Sequence, residues 1–315
     1  MKAKKVFFSA CLTATMFAGF VSCDKGNDPV NEVSESSNLR ITTSWASETP
    51  TKAAITEFEP NDKLGLFITS GTLDQIYNQN TAYANVASLW DGTSWSQTVN
   101  IYLDNKEASI FAYYPYKSSS NNGKIIPVES ASQTDYLFGK GLTKANIETP
   151  STNVEMRHAL TQVAFSLTTQ DYSGVGLLQE VTISNTGAGN SFYTSGTMNC
   201  QTGVVTGTEF GTLTLSANNS LSAVPNVFSA IAMPVHTPTT EKSIMLTLKI
   251  DDVQYTYSFA PGTKWMPGTK NIYSICLKGK DIEIGGDPNY GQDGVLILPW
   301  NDVPTGEEIE LTPVA

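Results

Sequence analysis

Few residues in this chain have the type and spacing to do chemistry, and the clearest is Cys23. It follows Gly19-Phe20-Val21-Ser22 at the end of an apolar stretch from Val6 to Phe20, behind Lys2, Lys4 and Lys5. A basic start, an apolar middle and a small-residue end make a secretory leader. The stretch holds about 15 residues, fewer than the roughly 20 that cross a bilayer. Elsewhere the candidates are weaker. His158 precedes an apolar run and has no nucleophile pattern near it in sequence, so it reads as a structural histidine rather than a catalytic base. Asp287-Pro288-Asn289-Tyr290-Gly291-Gln292-Asp293 offers oxygen ligands for Ca²⁺, but the spacing misses the EF-hand loop and a plain turn explains it. Trp90 and Trp95 offer a sugar-stacking platform or, more simply, core packing.

No Gly-x-Ser-x-Gly, P-loop or zinc-protease motif occurs, and a glycosidase carboxylate pair cannot be picked out. The chain reads as a non-enzyme without cofactor or metal. Of its four cysteines, Cys11 lies in the leader and Cys23 at its end. Cys200 and Cys276 either form one disulfide in an oxidising compartment or sit apart as small buried residues. With only His158 and His236 beside them, they lack zinc spacing.

The elements that must position these residues are strands. The 315 residues are 40% hydrophobic, enough for a packed core, and the chain is long enough for two domains. The formal net charge is −11, and residues 1–40 hold five positive and four negative charges, which leaves −12 on residues 41–315. An acidic body with no basic stripe excludes nucleic acid as the expected partner. Asp24 to Asn38 is polar and flexible, a tether. Ile41–Trp45 starts the first strand, and Leu64–Ile68 follows a Pro60-Asn61-Asp62 turn. Ala108–Tyr116 is a strand ended by Pro115, and Val163, Phe165 and Leu167 share a face. Ile244, Leu246, Leu248 and Ile250 alternate, Asp251-Asp252 turns the chain, and Val253, Tyr255, Tyr257 and Phe259 return. Asn271–Leu277 follows a turn at Trp265-Met266-Pro267-Gly268. The expectation is an all-β protein of two tandem β-sandwiches, over residues 41–150 and 151–315, divided at Glu148-Thr149-Pro150.

Two resemblances extend this reading. Ser22-Cys23 is similar to the lipobox of bacterial lipoproteins, although Phe20 stands where leucine is most usual. That resemblance implies cleavage before Cys23, a diacylglyceryl group on its thiol and acylation of the new N-terminus. Several acyl chains make a stable membrane anchor. The plain alternative is an ordinary leader with a chance cysteine. Over nearly its whole length the chain also resembles the bacterial fimbrillins. The matching pieces, in order, are Cys23, Phe58…Asp62-Lys63-Leu64-Gly65-Leu66, Tyr113-Tyr114-Pro115-Tyr116, Asp135-Tyr136-Leu137-Phe138-Gly139, His158-Ala159-Leu160…Val163…Phe165, and Trp265…Pro267-Gly268…Tyr273…Leu277 with Trp300.

The fimbrillin resemblance implies sandwiches of transthyretin-like topology, export to the outer membrane as a palmitate-type lipoprotein, and a place in cell-surface fimbriae as a shaft or tip subunit that contributes to adhesion. It implies proteolysis of the tether and joining of pilin subunits by strand exchange. Arg40 matches the processing residue, with Lys25 and Lys52 as rivals. Residues 1–22 would then be the leader and 23–40 the lipidated propeptide. The donor strand expected at the C-terminus is Val295–Leu298 through Trp300, then Glu308–Leu311. A strand missing from a sandwich exposes backbone polar groups and an apolar groove, which another strand satisfies. A head-to-tail contact that does not close builds a filament. The alternative function is a lipid-anchored surface module that binds a host or bacterial glycan or protein and does not polymerise.

Overall fold

The computed structural model describes residues 38–46, 57–278, 281–284 and 295–299. Strands dominate them, as expected. In chain order come β1 (Arg40–Trp45), β2 (Lys63–Thr69), β3 (Val86–Trp90), β4 (Trp95–Gln97), β5 (Ser109–Tyr114), β6 (Ile126–Glu129), β7 (Leu137–Gly141) and β8 (Ser151–His158). The chain continues through β9 (Thr161–Gln170), β10 (Leu177–Asn185), β11 (Tyr193–Met198), β12 (Val205–Phe210), β13 (Thr212–Ser220) and β14 (Asn226–Ala232). Last come β15 (Ile244–Ile250), β16 (Val253–Ser258), β17 (Thr269–Lys278), β18 (Asp281–Ile284) and β19 (Val295–Pro299).

Four sheets result. A seven-stranded sheet runs β1-β8-β7-β5-β2-β3-β4, and a three-stranded one β12-β11-β6. A four-stranded sheet runs β13-β10-β15-β16 and faces a five-stranded one, β14-β9-β17-β18, with β19 also on β17. The seven-stranded sheet is covered on both faces. Leu64, Leu66 and Ile68 of β2 join one core cluster, while Phe67 joins another with Phe111 and Tyr113. That double burial makes β2 and β5 read as unbroken apolar runs. The sheet curls until the Trp95 indole Nε1 of β4 donates to Thr43 Oγ1 of β1, 3.1 Å away.

β15 shows the opposite pattern. Ile244, Leu246, Leu248 and Ile250 face the core at 1% exposure or less, while their neighbours are half-buried. Its hairpin with β16 turns at Asp251 and Asp252, both with left-handed φ (47° and 64°). Such a two-residue turn suits the twist of the paired strands. The Asp251 carboxylate also accepts from Gly176 N, Leu177 N and the Tyr172 hydroxyl at 2.8–2.9 Å. These bonds, Gly176 foremost, hold its pKa below the ordinary carboxylate value.

The order of strands in the sheets does not follow the expected division at residue 150. β8 begins at Ser151 yet pairs with β7 and β1 in the seven-stranded sheet. The β11–β12 hairpin comes later still, but β11 pairs with β6 and covers that same sheet. Ala159 and Leu160, between β8 and β9, sit in the core cluster that this hairpin closes.

Candidate functional site

An edge strand leaves a row of N–H and C=O groups that another chain can match, so the sheet edges are the candidate sites. The first candidate is β1. It lies at one end of the seven-stranded sheet and pairs in parallel with β8, from Arg40 opposite Ser151 to Trp45 opposite Met156. The backbone is tied at both ends: Arg40 N donates to Pro150 O at 2.8 Å, and Ala46 N to Met156 O at 3.0 Å. Between them Asn153 accepts from the Ser44 hydroxyl and donates to Thr42 Oγ1. Leu39 and Ile41 are buried, and each removal from water stabilises the strand by about 1.5–3 kcal/mol.

Trp45 closes the strand. Its ring stacks on Phe58 with centroids 5.4 Å apart and on His158 at 5.9 Å. Phe58 in turn meets Trp95 and Tyr114 edge-on at 5.0 and 5.7 Å. The Tyr114 hydroxyl donates to Asp62, and burial, then that carboxylate, pushes its pKa above the ordinary phenol value. Under the cluster, His158 Nδ1 meets the buried Asp135 carboxylate at 2.9–3.0 Å. His158 is thus locked between an acid and an indole, a structural role at the end of β8.

The other sequence candidates fall as follows. Arg40 is exposed and begins β1; its peptide lies inside the paired strand, not in the tether. Cys23, Lys25, Lys52, the Asp287–Asp293 loop, Trp300 and Glu308–Leu311 lie outside the described residues. Trp95 is 7% exposed and hydrogen-bonded, so it is core, while Trp90 is half-buried against it at 5.1 Å. Cys200 and Cys276 are both free. Cys200 is buried in the cluster beneath the β11–β12 hairpin, and that burial pushes its thiol up to about 12. Among the described residues no group of three His, Cys, Asp or Glu side chains is placed to hold a metal.

The second candidate is the outer edge of β17. Two short strands share it, both antiparallel: β18 opposite Ile275–Lys278 and β19 opposite Thr269–Tyr273. Val295–Leu298, the first run expected of a donor strand, is thus paired within its own chain. Sequence reasoning missed Phe58, Tyr114 and Asn153 as partners of β1. The aromatic types were visible, but nothing in the sequence says that β1 returns to β8, more than a hundred residues on.

The fimbrillin-like family model matches residues 51–289. The chain belongs to the fimbrillin-like family. Solved structures share its fold, three of them as follows. A putative cell adhesion protein from Bacteroides uniformis is 18% identical, with a TM-score of 0.61 over 84% of this chain and 99% of its own. Another from Bacteroides ovatus is 18% identical, with a TM-score of 0.61 over 84% and 97%. A third, from Bacteroides eggerthii, is 10% identical, with a TM-score of 0.52 over 83% and 95%. No curated protein sequence matches the chain.

Proposed function

We propose that this chain is a subunit of a cell-surface fimbria that contributes to adhesion. The observation that carries the reading is membership of the fimbrillin-like family across residues 51–289. The edge strand β1 supports it, because a strand that directly follows the tether is the element proteolysis can reach. The chain is exported as a lipoprotein through Cys23, held at the outer membrane, then cut and joined to other pilin subunits by strand exchange.

Two cuts have different consequences. Cleavage after Arg40 removes the tether and Leu39 but leaves Ile41–Trp45 paired with β8. Cleavage after Lys52 removes β1 as well, which strips the outer edge of β8 and the seat of Trp45. Arg40 stays the residue proposed for processing, and Lys52 is the rival that opens a groove. A division at 150/151 would cut β8 from the sheet it pairs in, so the division we propose into two sandwich domains falls between β8 and β9, with the β11–β12 hairpin lent to the first.

N-terminal sequencing of protein recovered from the cell surface tests the pathway. A start at Ile41 is expected, with Arg40→Ala leaving a longer form that keeps its lipid and forms no multimer ladder. Normal multimers from Arg40→Ala remove that residue from the mechanism, and a start at Ala53 assigns the cut to Lys52. Cys23→Ala should abolish lipid labelling; labelling that survives sinks the lipoprotein step. Retained lipid on the mature protein, with no multimers, favours the surface-binding module instead.

A further inference from the structure

The two central strands of the five-stranded sheet, β9 and β17, are buried on both faces. Strand alternation sends Val163, Phe165 and Leu167 of β9 and Tyr273, Ile275 and Leu277 of β17 into the core shared with the four-stranded sheet. The opposite face therefore carries Gln162, Ala164 and Ser166 beside Lys270, Ile272 and Ser274, matched pair by pair in register. All six are less than a tenth exposed. Yet Ala164 and Ile272, at 0% and 1%, belong to none of the three core clusters.

Lys270 marks the place. Its residue is only 7% exposed, and its side-chain amine has no ion-pair or hydrogen-bond partner among the described residues. Burial holds its amine below the usual lysine pKa. Beside it the Gln162 Oε1 is buried and also lacks a hydrogen-bond partner. A buried amine and a buried amide oxygen left unmatched are costly, so a complementary polar group is wanted there.

We propose that this face is the seat of the chain's own C-terminal segment, residues 300–315, with the Asp302 carboxylate brought to Lys270 and Ile309 and Leu311 laid on Ala164 and Ile272. The exit point argues for this occupant. β19 ends at Pro299 opposite Thr269, one residue from Lys270. The sixteen residues that follow can reach about 50 Å when extended, more than the roughly 30 Å length of β17. They hold Asp302, Glu307, Glu308 and Glu310 and no lysine or arginine, which complements a lone amine. In the run Glu308-Ile309-Glu310-Leu311 the apolar residues alternate, so one face can lie on the sheet while the glutamates meet water. The N-terminal tether is a poorer fit, since it leads to Asn38, which bridges to Tyr102 beside the seven-stranded sheet.

Acetic anhydride labelling of the full-length protein, read residue by residue by mass spectrometry, tests the proposal. Lys270 should react at least about tenfold more slowly than the exposed Lys63 and Lys242, and ending the chain at Asn301 should raise its rate about tenfold while theirs stay unchanged. Asp302→Asn should move Lys270 in the same direction by a smaller factor. Equal protection in the shortened chain overturns the proposal, because another segment then covers the face. Protection that falls on dilution also overturns it, in favour of a second copy. Should shortening abolish the β-sheet circular dichroism, Asp302→Asn decides alone, and unchanged labelling there overturns the assignment. The readout is made on a monomer and stands or falls independently of fimbrial assembly.

Discussion

Single residues set limits on this fold that volume and charge make testable. Gly65 of β2 lies under the Tyr113 ring, so a Cβ there would overlap the ring itself. Tyr113 is pinned from the other side, where its hydroxyl donates to Asn85 Oδ1 at 2.7 Å and accepts from Lys117 N. Gly65→Ala should cost about 1–3 kcal/mol in urea unfolding, because the ring cannot move aside. Asp251 gives a pH prediction. Its folded pKa lies below the unfolded one, so its contribution is full above about pH 3.9 and lost as pH falls through the lower folded value. Asp251→Asn should lower the melting temperature at neutral pH and flatten its fall below pH 4. The turn at Asp251-Asp252 was legible from two acidic residues between alternating runs. The acceptor role of Asp251 toward Gly176 and Leu177 was not, because those groups come from a loop over seventy residues away.

At the scale of elements, strands with strong apolar periodicity were legible: β2, β5, β9, β15 and β17 fall where alternation or a short apolar run places them. β11 and β12 were not, because Tyr193–Met198 and Val205–Phe210 are rich in Thr, Ser and Gly and carry little apolar pattern. What makes them strands is pairing with each other and with β6, a tertiary cause. The pairing of β1 with β8 was hidden for the same reason. Trp45→Ala should weaken that pairing. It removes a ring stacked on both Phe58 and His158, so a loss of about 2–4 kcal/mol and faster hydrogen exchange at Ile41–Trp45 are expected. If exchange there stays unchanged, β1 is held by its backbone ladder and not by its last side chain.

For the whole molecule, composition fixed the all-β class and the acidic surface, and the family followed from weak pieces in the right order. The place of β8 lay beyond sequence, since Pro150 punctuates the chain while Ser151–His158 still completes the seven-stranded sheet. Deleting Gly306–Ala315 should leave a folded protein, because that stretch lies beyond every described strand. Circular dichroism should be that of the intact chain, while subunit joining is lost. Collapse of the fold on that deletion would end the donor-strand role. With a pI near 4.6 the protein should be least soluble close to that pH, and turbidity across pH 3–8 would show it.

The two terminal ladders carry a mechanical consequence. β1 runs parallel to β8, with Arg40 opposite Ser151 at one end and Trp45 opposite Met156 at the other. Tension applied at Asn38 along the strand axis loads all those rungs together, as shear. β19 lies antiparallel on β17, and Pro299 is its outermost rung, opposite Thr269. A pull at Pro299 away from the sheet loads one rung at a time, as peeling. A pull at Asn38 along the axis of β1 should therefore need more force than a pull at Pro299 across β19, which an optical trap with handles placed to give each direction would read.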